Sequence, residues 1–240
     1  MLVLGIDTCD SRGSVALRRA ASLVGLQRHE TAEDFSSWLI PAAEQSLRNA
    51  GLVLRNVDLF AVTTGPGSFT GLRVGLTAVK AWAELLGKRI VGVSRLEVMA
   101  RMAGEKRGYV AASFDAQRGQ AFCGLYRLGE EQGSELVEQE MVIAPGEFVN
   151  WVGERAGGET VRWIALDPQL LSSTLSWRSR AGKREDILLC PDGLVAGVAE
   201  LGEERAQRGL STDALRLDAN YVRRSDAEIF WKDPANHVRR

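Results

Sequence analysis

Hydrophobic positions in this chain switch between a period of two and a period near 3.6, and the order of those switches is written twice. Leu2–Thr8 is an apolar run of strand length. Residues 13–19 and 22–28 read as two more short strands joined at Arg19-Ala20-Ala21. The period then becomes helical over 33–50, with Phe35, Trp38, Leu39, Ala42, Ala43 and Leu47 on one face. Pro41 interrupts that face and is expected to kink the helix or mark a boundary. Leu59–Thr64 reads as a buried strand, 70–87 as a helix and Arg89–Ser94 as a strand. A further helix opens at Ser94, whose spacing to Glu97 is that of a capping box.

The polar stretch Gly104–Gly108 separates this half from a second one of the same order. Tyr109–Asp115, Gln120–Tyr126 and Glu135–Ile143 read as three strands, with Gly129–Gly133 as a turn. Pro145 opens a short helix through Val152, since a first-turn proline lacks only an N–H that had no partner. A strand over 161–167, a helix from Pro168 to Arg178, a strand over 186–190 and a helix from Pro191 to Arg208 complete the half. Both first hairpins carry an acidic turn, Asp7-Thr8-Cys9-Asp10-Ser11-Arg12-Gly13 and Asp115-Ala116-Gln117-Arg118-Gly119. The order βββαβαβα, met twice, predicts an α/β protein of two lobes, each a mixed β-sheet with helices on its faces. The lobes are expected over 1–106 and 107–215, followed by a C-terminal extension over 216–240. This plan resembles the actin-like (ribonuclease-H-like) superfamily, in which a carboxylate at the end of a first strand commonly stands near Mg²⁺ or phosphate.

Between the fourth strand and its helix lies Gly65-Pro66-Gly67-Ser68-Phe69-Thr70-Gly71. Glycine lets the backbone approach a ligand or another segment closely, and a helix N-terminus offers free N–H groups to an anion. The turn fails the P-loop pattern, because Leu72-Arg73 follows Gly71. It also fails the dinucleotide fingerprint, having one residue too many before the third glycine. Close packing of strand on helix is the favoured reading, with phosphate contact by Gly65 and Gly67 as the functional one. In helix 70–87, Arg73, Thr77, Lys80, Glu84 and Lys88 form one narrow polar stripe. Leu72, Leu76, Val79, Ala83 and Leu86 flank it on one side, and Val74, Ala78, Trp82 and Leu85 on the other. A helix apolar on both flanks is covered on both. Gly71, Gly75 and Ala78 would admit a second helix closely, so Gly71, Leu72, Arg73, Val74, Gly75, Ala78 and Trp82 are expected to form a subunit interface.

Composition narrows the function. The chain has 240 residues, 45% of them hydrophobic, with 30 basic and 31 acidic side chains, a net charge of −1. That balance excludes a freestanding nucleic-acid binder with a basic face. Three cysteines without a C-x-x-C pair indicate neither a disulfide framework nor a zinc ribbon, and the expectation is a cytoplasmic chain with no membrane span. His29 and His237 have no ligand spacing, so no metal site is expected, and Ser68 has no histidine base within any readable motif. No catalytic residue is assigned. Asp7 and Thr8, with Asp115 in the second lobe, remain candidates for nucleotide or phosphate contact, against a turn-forming role for each aspartate.

The opening strand Leu2–Thr8, the run Thr63–Gly75 containing GPGSFTGLRVG, and the tail Tyr221-Val222-Arg223-Arg224-Ser225-Asp226-Ala227-Glu228 resemble the bacterial TsaB (YeaZ) family. The resemblance extends in outline over the whole chain. It implies a non-catalytic subunit of the complex that makes N6-threonylcarbamoyladenosine at position 37 of tRNAs reading codons that begin with A. It implies pairing through the N-terminal lobe with a TsaD-like catalytic paralogue, docking of a TsaE-like ATPase on that pair, and tRNA reached only through the complex. It also implies homodimers through the same surface when the chain is alone. ATP with Mg²⁺ belongs at most to the subunit interface, with no tightly bound cofactor. The sequence departs from the family pattern at Phe35, where relatives often have His, and at Cys9, commonly a small residue. The Asp7 hairpin also lacks the immediate glycine of phosphate-gripping relatives. The competing readings are an actin-like ATPase or small-molecule kinase and, behind it, a glycoprotease-like metallopeptidase.

Overall fold

The computed structural model describes residues 1–10, 12–30, 33–129, 133–180 and 185–222. Ser11, the tail from Arg223 to Glu228 and His237, all singled out in the sequence, lie outside the described residues.

The first sheet is built from β1 (Leu2–Asp7), β2 (Ser14–Arg19), β3 (Ser22–Arg28), β4 (Leu59–Gly65) and β5 (Arg89–Ser94) in the order β3-β2-β1-β4-β5. β1 pairs antiparallel with β2 and parallel with β4. The second sheet comprises β6 (Gly108–Asp115), β7 (Ala121–Gly129), β8 (Gly133–Leu136), β9 (Met141–Ile143), β10 (Val161–Ala165) and β11 (Ile187–Leu189), in the order β11-β10-β6-β7-β8 with β9 also on β7. The two topologies superimpose: a three-strand meander extended by two parallel strands. The long third strand expected over 135–143 is split, because the chain turns away from β7 between Leu136 and Met141 and returns to pair with it again.

Period-two alternation gives each sheet two apolar faces. On the first sheet Leu2, Leu4, Ile6, Phe60 and Val62 pack under α1 (Phe35–Asn49) and α2 (Phe69–Leu86). Val3, Leu59, Ala61, Val91 and Val93 face the opposite way, onto α7 (Leu194–Gln207). α7 comes from the second half of the sequence. It lies close to the first sheet because a Cβ on Gly202 would overlap Ala61, and one on Gly5 would meet Ala199 at 2.9 Å. α3 (Arg95–Met102), from the first half, packs on β6 and β7 of the second sheet and against α7. α4 (Pro145–Arg155) covers the far face of the second sheet through Phe148, Val149 and Val152. The stretch 168–178 forms two single-turn helices, α5 (Gln169–Ser172) and α6 (Leu175–Arg178), rather than one helix. Sheets therefore follow the halves of the sequence, while α3 and α7 are exchanged into the layer between them.

Two local expectations are narrowed: Pro41 marks no helix boundary, and the capping box at Ser94 is only half formed. α1 runs through Pro41 as one helix. The proline is solvent-exposed, so water can satisfy the carbonyl left unpaired at Ser37, one turn earlier. Ser94 caps α3 by accepting from the Leu96 and Glu97 N–H groups at 3.2 and 3.4 Å. The reciprocal half of the capping box is missing, because Arg205 and Ser134 hold the Glu97 carboxylate instead.

Candidate functional site

The carboxyl ends of β1 and β4 and the first hairpin of the second sheet converge on a cleft between the two sheets. At its floor Asp7 is buried. Its Oδ1 accepts from the Cys9 N–H at 3.0 Å and the Thr63 hydroxyl at 2.9 Å, while Oδ2 lies 3.6 Å from Arg95 Nε. Arg95, 2% exposed, also donates to Asp10 and lies over the Phe114 ring. Burial alone would raise the Asp10 carboxyl, but the Arg95 guanidinium outweighs it and holds the group below the ordinary carboxylate value. For Arg95, burial pulls the guanidinium down, yet Asp7 and Asp10 keep it raised. Burial, reinforced by Asp7, pushes the Cys9 thiol well up. Asp7 and Asp10 thus already share a cation supplied by the chain itself, so Arg95 neutralises the charge that would draw Mg²⁺ with a phosphate to the cavities they line. Their geometry does not fit a resident metal–nucleotide site. Among the described residues no group of three His, Cys, Asp or Glu side chains is placed to hold a metal ion.

The Asp10–Arg95 pair, with Arg12 and Leu166, divides the cleft. One side is a cavity of about 440 Å³ reached by Asp7, Ser14, Arg28, Cys190 and Asp192. The other, about 670 Å³, is walled by Pro66–Phe69, Phe114–Gln117, Phe122, Leu166–Asp167 and Asn220–Val222. Asp115 is exposed on that second cavity, where both its oxygens are taken by Gln117, from the backbone N–H at 2.7 Å and the side-chain amide at 2.8 Å. This is the turn-forming role. Thr8 is buried and its hydroxyl donates to the Gly71 carbonyl at 2.7 Å, so it faces the chain rather than the cleft.

The glycines of the turn serve packing. A Cβ on Gly67 would overlap the Cys9 carbonyl, one on Gly71 the Thr8 carbonyl, and one on Gly75 the Thr8 hydroxyl; one on Gly65 would meet the Asn220 carbonyl at 2.7 Å. The close approach expected of Gly71 and Gly75 is therefore made to the end of β1, not to a helix of another subunit. Leu72 is likewise buried within the chain. Of the predicted interface set, Arg73 is exposed, Val74 and Ala78 are half-buried, and Trp82 is half-buried with its ring 5.9 Å from that of the core residue Phe60.

Sequence reasoning missed three participants. Arg95 is the cation of the site; its signal was a basic residue in a helix first turn, where the dipole disfavours it. Glu140 accepts from Ser94, Tyr126 and, at 2.5 Å, Asn220, and no motif marks it. The C-terminal extension, to which no site residue was assigned, contributes Asn220 and Tyr221 to a cavity wall.

The family described as TsaD: tRNA N6-adenosine threonylcarbamoyltransferase matches residues 20–165. The tRNA threonylcarbamoyladenosine biosynthesis protein TsaB of Bacillus subtilis (strain 168) is 27% identical over 237 residues, which cover 96% of this chain and 98% of that protein. The protein of the same description from Escherichia coli (strain K12) is 31% identical over 168 residues, covering 69% and 71%. Among solved structures, YeaZ from Pseudomonas aeruginosa gives a TM-score of 0.68 at 23% identity, covering 92% of this chain and 99% of that one. The Acidaminococcus fermentans (R)-2-hydroxyglutaryl-CoA dehydratase component A shares the fold alone, with a TM-score of 0.50 at 10% identity over 86% of this chain and 99% of that one.

Proposed function

The chain belongs to the TsaB (YeaZ) family of actin-like fold and takes part in the biosynthesis of threonylcarbamoyladenosine in tRNA, and from that premise we propose that it is the non-catalytic pairing subunit. It pairs with a TsaD-type catalytic chain, a TsaE-type ATPase docks on that pair, and tRNA is reached only through the complex, in the cytoplasm. Alone, the chain forms homodimers through the same surface. ATP with Mg²⁺ is held at the subunit interface rather than by this chain alone.

One observation carries the reading. On the outer side of α2, Val74, Ala78, Ala81 and Leu85 follow one another at helical spacing, and Leu85 is 79% exposed. α1, which packs beside α2, leaves Ile40 48% exposed. An apolar seam on an outward helix face is the surface a partner covers. The carboxylates Asp7 and Asp10, bound to Arg95, support the non-catalytic part.

The test measures threonylcarbamoyladenosine in total tRNA, by nucleoside mass spectrometry, in cells depleted of the chain and supplied with variants. Wild type and Asp115→Ala are expected to restore the nucleoside. Leu85→Glu and Val74→Glu are expected to fail while still folded, with pairing weakened at least about tenfold. Full rescue by Leu85→Glu would overturn the interface. Failure of a folded Asp115→Ala, together with stoichiometric Mg-ATP binding in a calorimetric titration, would move the ATPase or kinase reading to the front.

A further inference from the structure

The chain that follows α7 crosses the molecule in two stretches of unequal attachment. The first is fixed firmly. Thr212 exchanges two backbone hydrogen bonds with Ile90, at 2.9 and 2.8 Å, and Arg89 donates to the Ser211 carbonyl at 2.8 Å. Leu217 is buried, its tip in the space left by the missing side chain of Gly92. Beyond Leu217 the anchors are few. The Asn220 N–H donates to the Thr64 carbonyl at 2.7 Å and its side-chain amide to Glu140 at 2.5 Å. Tyr221, 44% exposed, lies against Phe69 with ring centroids 5.0 Å apart, and its hydroxyl accepts from Arg73 at 3.4 Å. Asp218 is exposed.

That thinly held stretch closes one side of the 670 Å³ cavity, through Asn220, Tyr221 and Val222. The remaining walls belong to β-sheet ends and to the Gly-rich turn, whose Gly67 and Gly71 are packed on the β1 exit while Gly65 lies under the Asn220 carbonyl. Cys9, 1% exposed, lies at the inner wall. Ala219 and Val222 rest against the two cores, but the polar attachment of this stretch to its surroundings is three hydrogen bonds and no strand pairing, so it opens at lower cost than the sheets around it.

We propose that residues 218–222 are a releasable flap over this cavity, latched by Asn220 between Thr64 and Glu140, and that its opening admits small molecules to the inner wall at Cys9. The proposal is independent of the pairing reading, because it concerns access to the cleft and not the outer face of α2.

Alkylation by iodoacetamide, followed site by site by mass spectrometry on the full chain, tests it. The three cysteines are all free and buried, but they lie in different places: Cys9 behind the flap, Cys190 in the other cavity, Cys123 in the core of the second sheet. When opening and closing are faster than modification, the rate reports the open population. Asn220→Ala removes a hydrogen bond to a carboxylate and is expected to raise Cys9 labelling about tenfold or more, leaving Cys123 and Cys190 unchanged. Tyr221→Ala, which does not touch the latch, is expected to raise Cys9 labelling by a smaller factor. A rise confined to Cys9 in either variant supports the flap. Unchanged Cys9 labelling in both variants overturns it, and so does a parallel rise at Cys9 and Cys123, which would report loss of the whole fold.

Discussion

Glu140 is ringed by neutral donors, Ser94, Tyr126 and Asn220, with Glu97 near enough to repel it. Burial raises its carboxyl above the ordinary value, and the three donors recover only part of that rise; Tyr126, buried beside it, is raised as well. A group raised in the fold contributes stability that is fully present below its unfolded value, about 4.3 for Glu, and is lost as pH rises through the folded value. Glu140→Gln keeps the shape: its carbonyl can accept from Asn220 while its amide donates to the Ser94 and Tyr126 hydroxyls, which share the other oxygen. It is expected to be more stable than wild type at pH 7, with the gap closing below about pH 4. Denaturant midpoints across that range check it, and a variant less stable at neutral pH would sink the assignment. Asp10 has the opposite sign: its contribution is present above its unfolded value and is lost as pH falls through its lowered folded one. Strain at single residues is visible in the β2–β3 turn, where Ala20 and Ala21 have φ of 48° and 64°. Left-handed backbone costs an L-residue about 1–2 kcal/mol, and a two-residue hairpin turn of this kind favours Asn-Gly. The double change Ala20→Asn with Ala21→Gly is expected to stabilise the chain by about 1–2 kcal/mol, read as a higher midpoint of chemical unfolding.

α2 shows how an element can be located correctly and its faces misassigned. Its span, read as 70–87, is Phe69–Leu86, with Ser68 capping its start and Gly87 ending it at φ 62°. The glycines at 71 and 75 were legible as a close approach, but a residue pattern does not say what approaches. Here it is Thr8, whose hydroxyl bonds the Gly71 carbonyl. Gly75→Ala is therefore expected to destabilise by about 1–3 kcal/mol through overpacking, although alanine in a free helix would help; Gly71→Ala meets fixed backbone and should cost more. Equilibrium unfolding of both variants settles the direction. The same limit explains the other misses. Strands of the first sheet declare themselves as short apolar runs bounded by turns, so all five could be read from the sequence. α7 declares itself amphipathic, but nothing in Leu194, Val195, Val198 and Ala199 specifies which sheet they will cover. Arg95 and Glu140 become legible only once α3, β7 and the C-terminal stretch are brought together, because their partners are dozens of residues away in sequence.

At the scale of the molecule, the exchange of α3 and α7 binds the two halves into one cooperative body. Val3, Leu59, Ala61, Val91 and Val93 are buried on the face that α7 covers. A chain cut after residue 106, where the sequence divides most naturally, would expose all five to water. It would also strip α3 of Phe114, Phe122 and Tyr126, with which Leu96, Val98 and Met99 share a core. Burying a Val or Leu side chain contributes about 1.5–3 kcal/mol, so the loss over the four such positions is comparable with the whole stability of an ordinary domain, about 5–15 kcal/mol. The fragment 1–106 is expected to lack a cooperative unfolding transition and protected amides in β1 and β4. Mixed with the fragment 107–222, it should regain both, since the second fragment brings α7 to the open face. Cooperative unfolding of 1–106 alone would show instead that α1 and α2 suffice to hold the first sheet, and that α7 joins two lobes already folded.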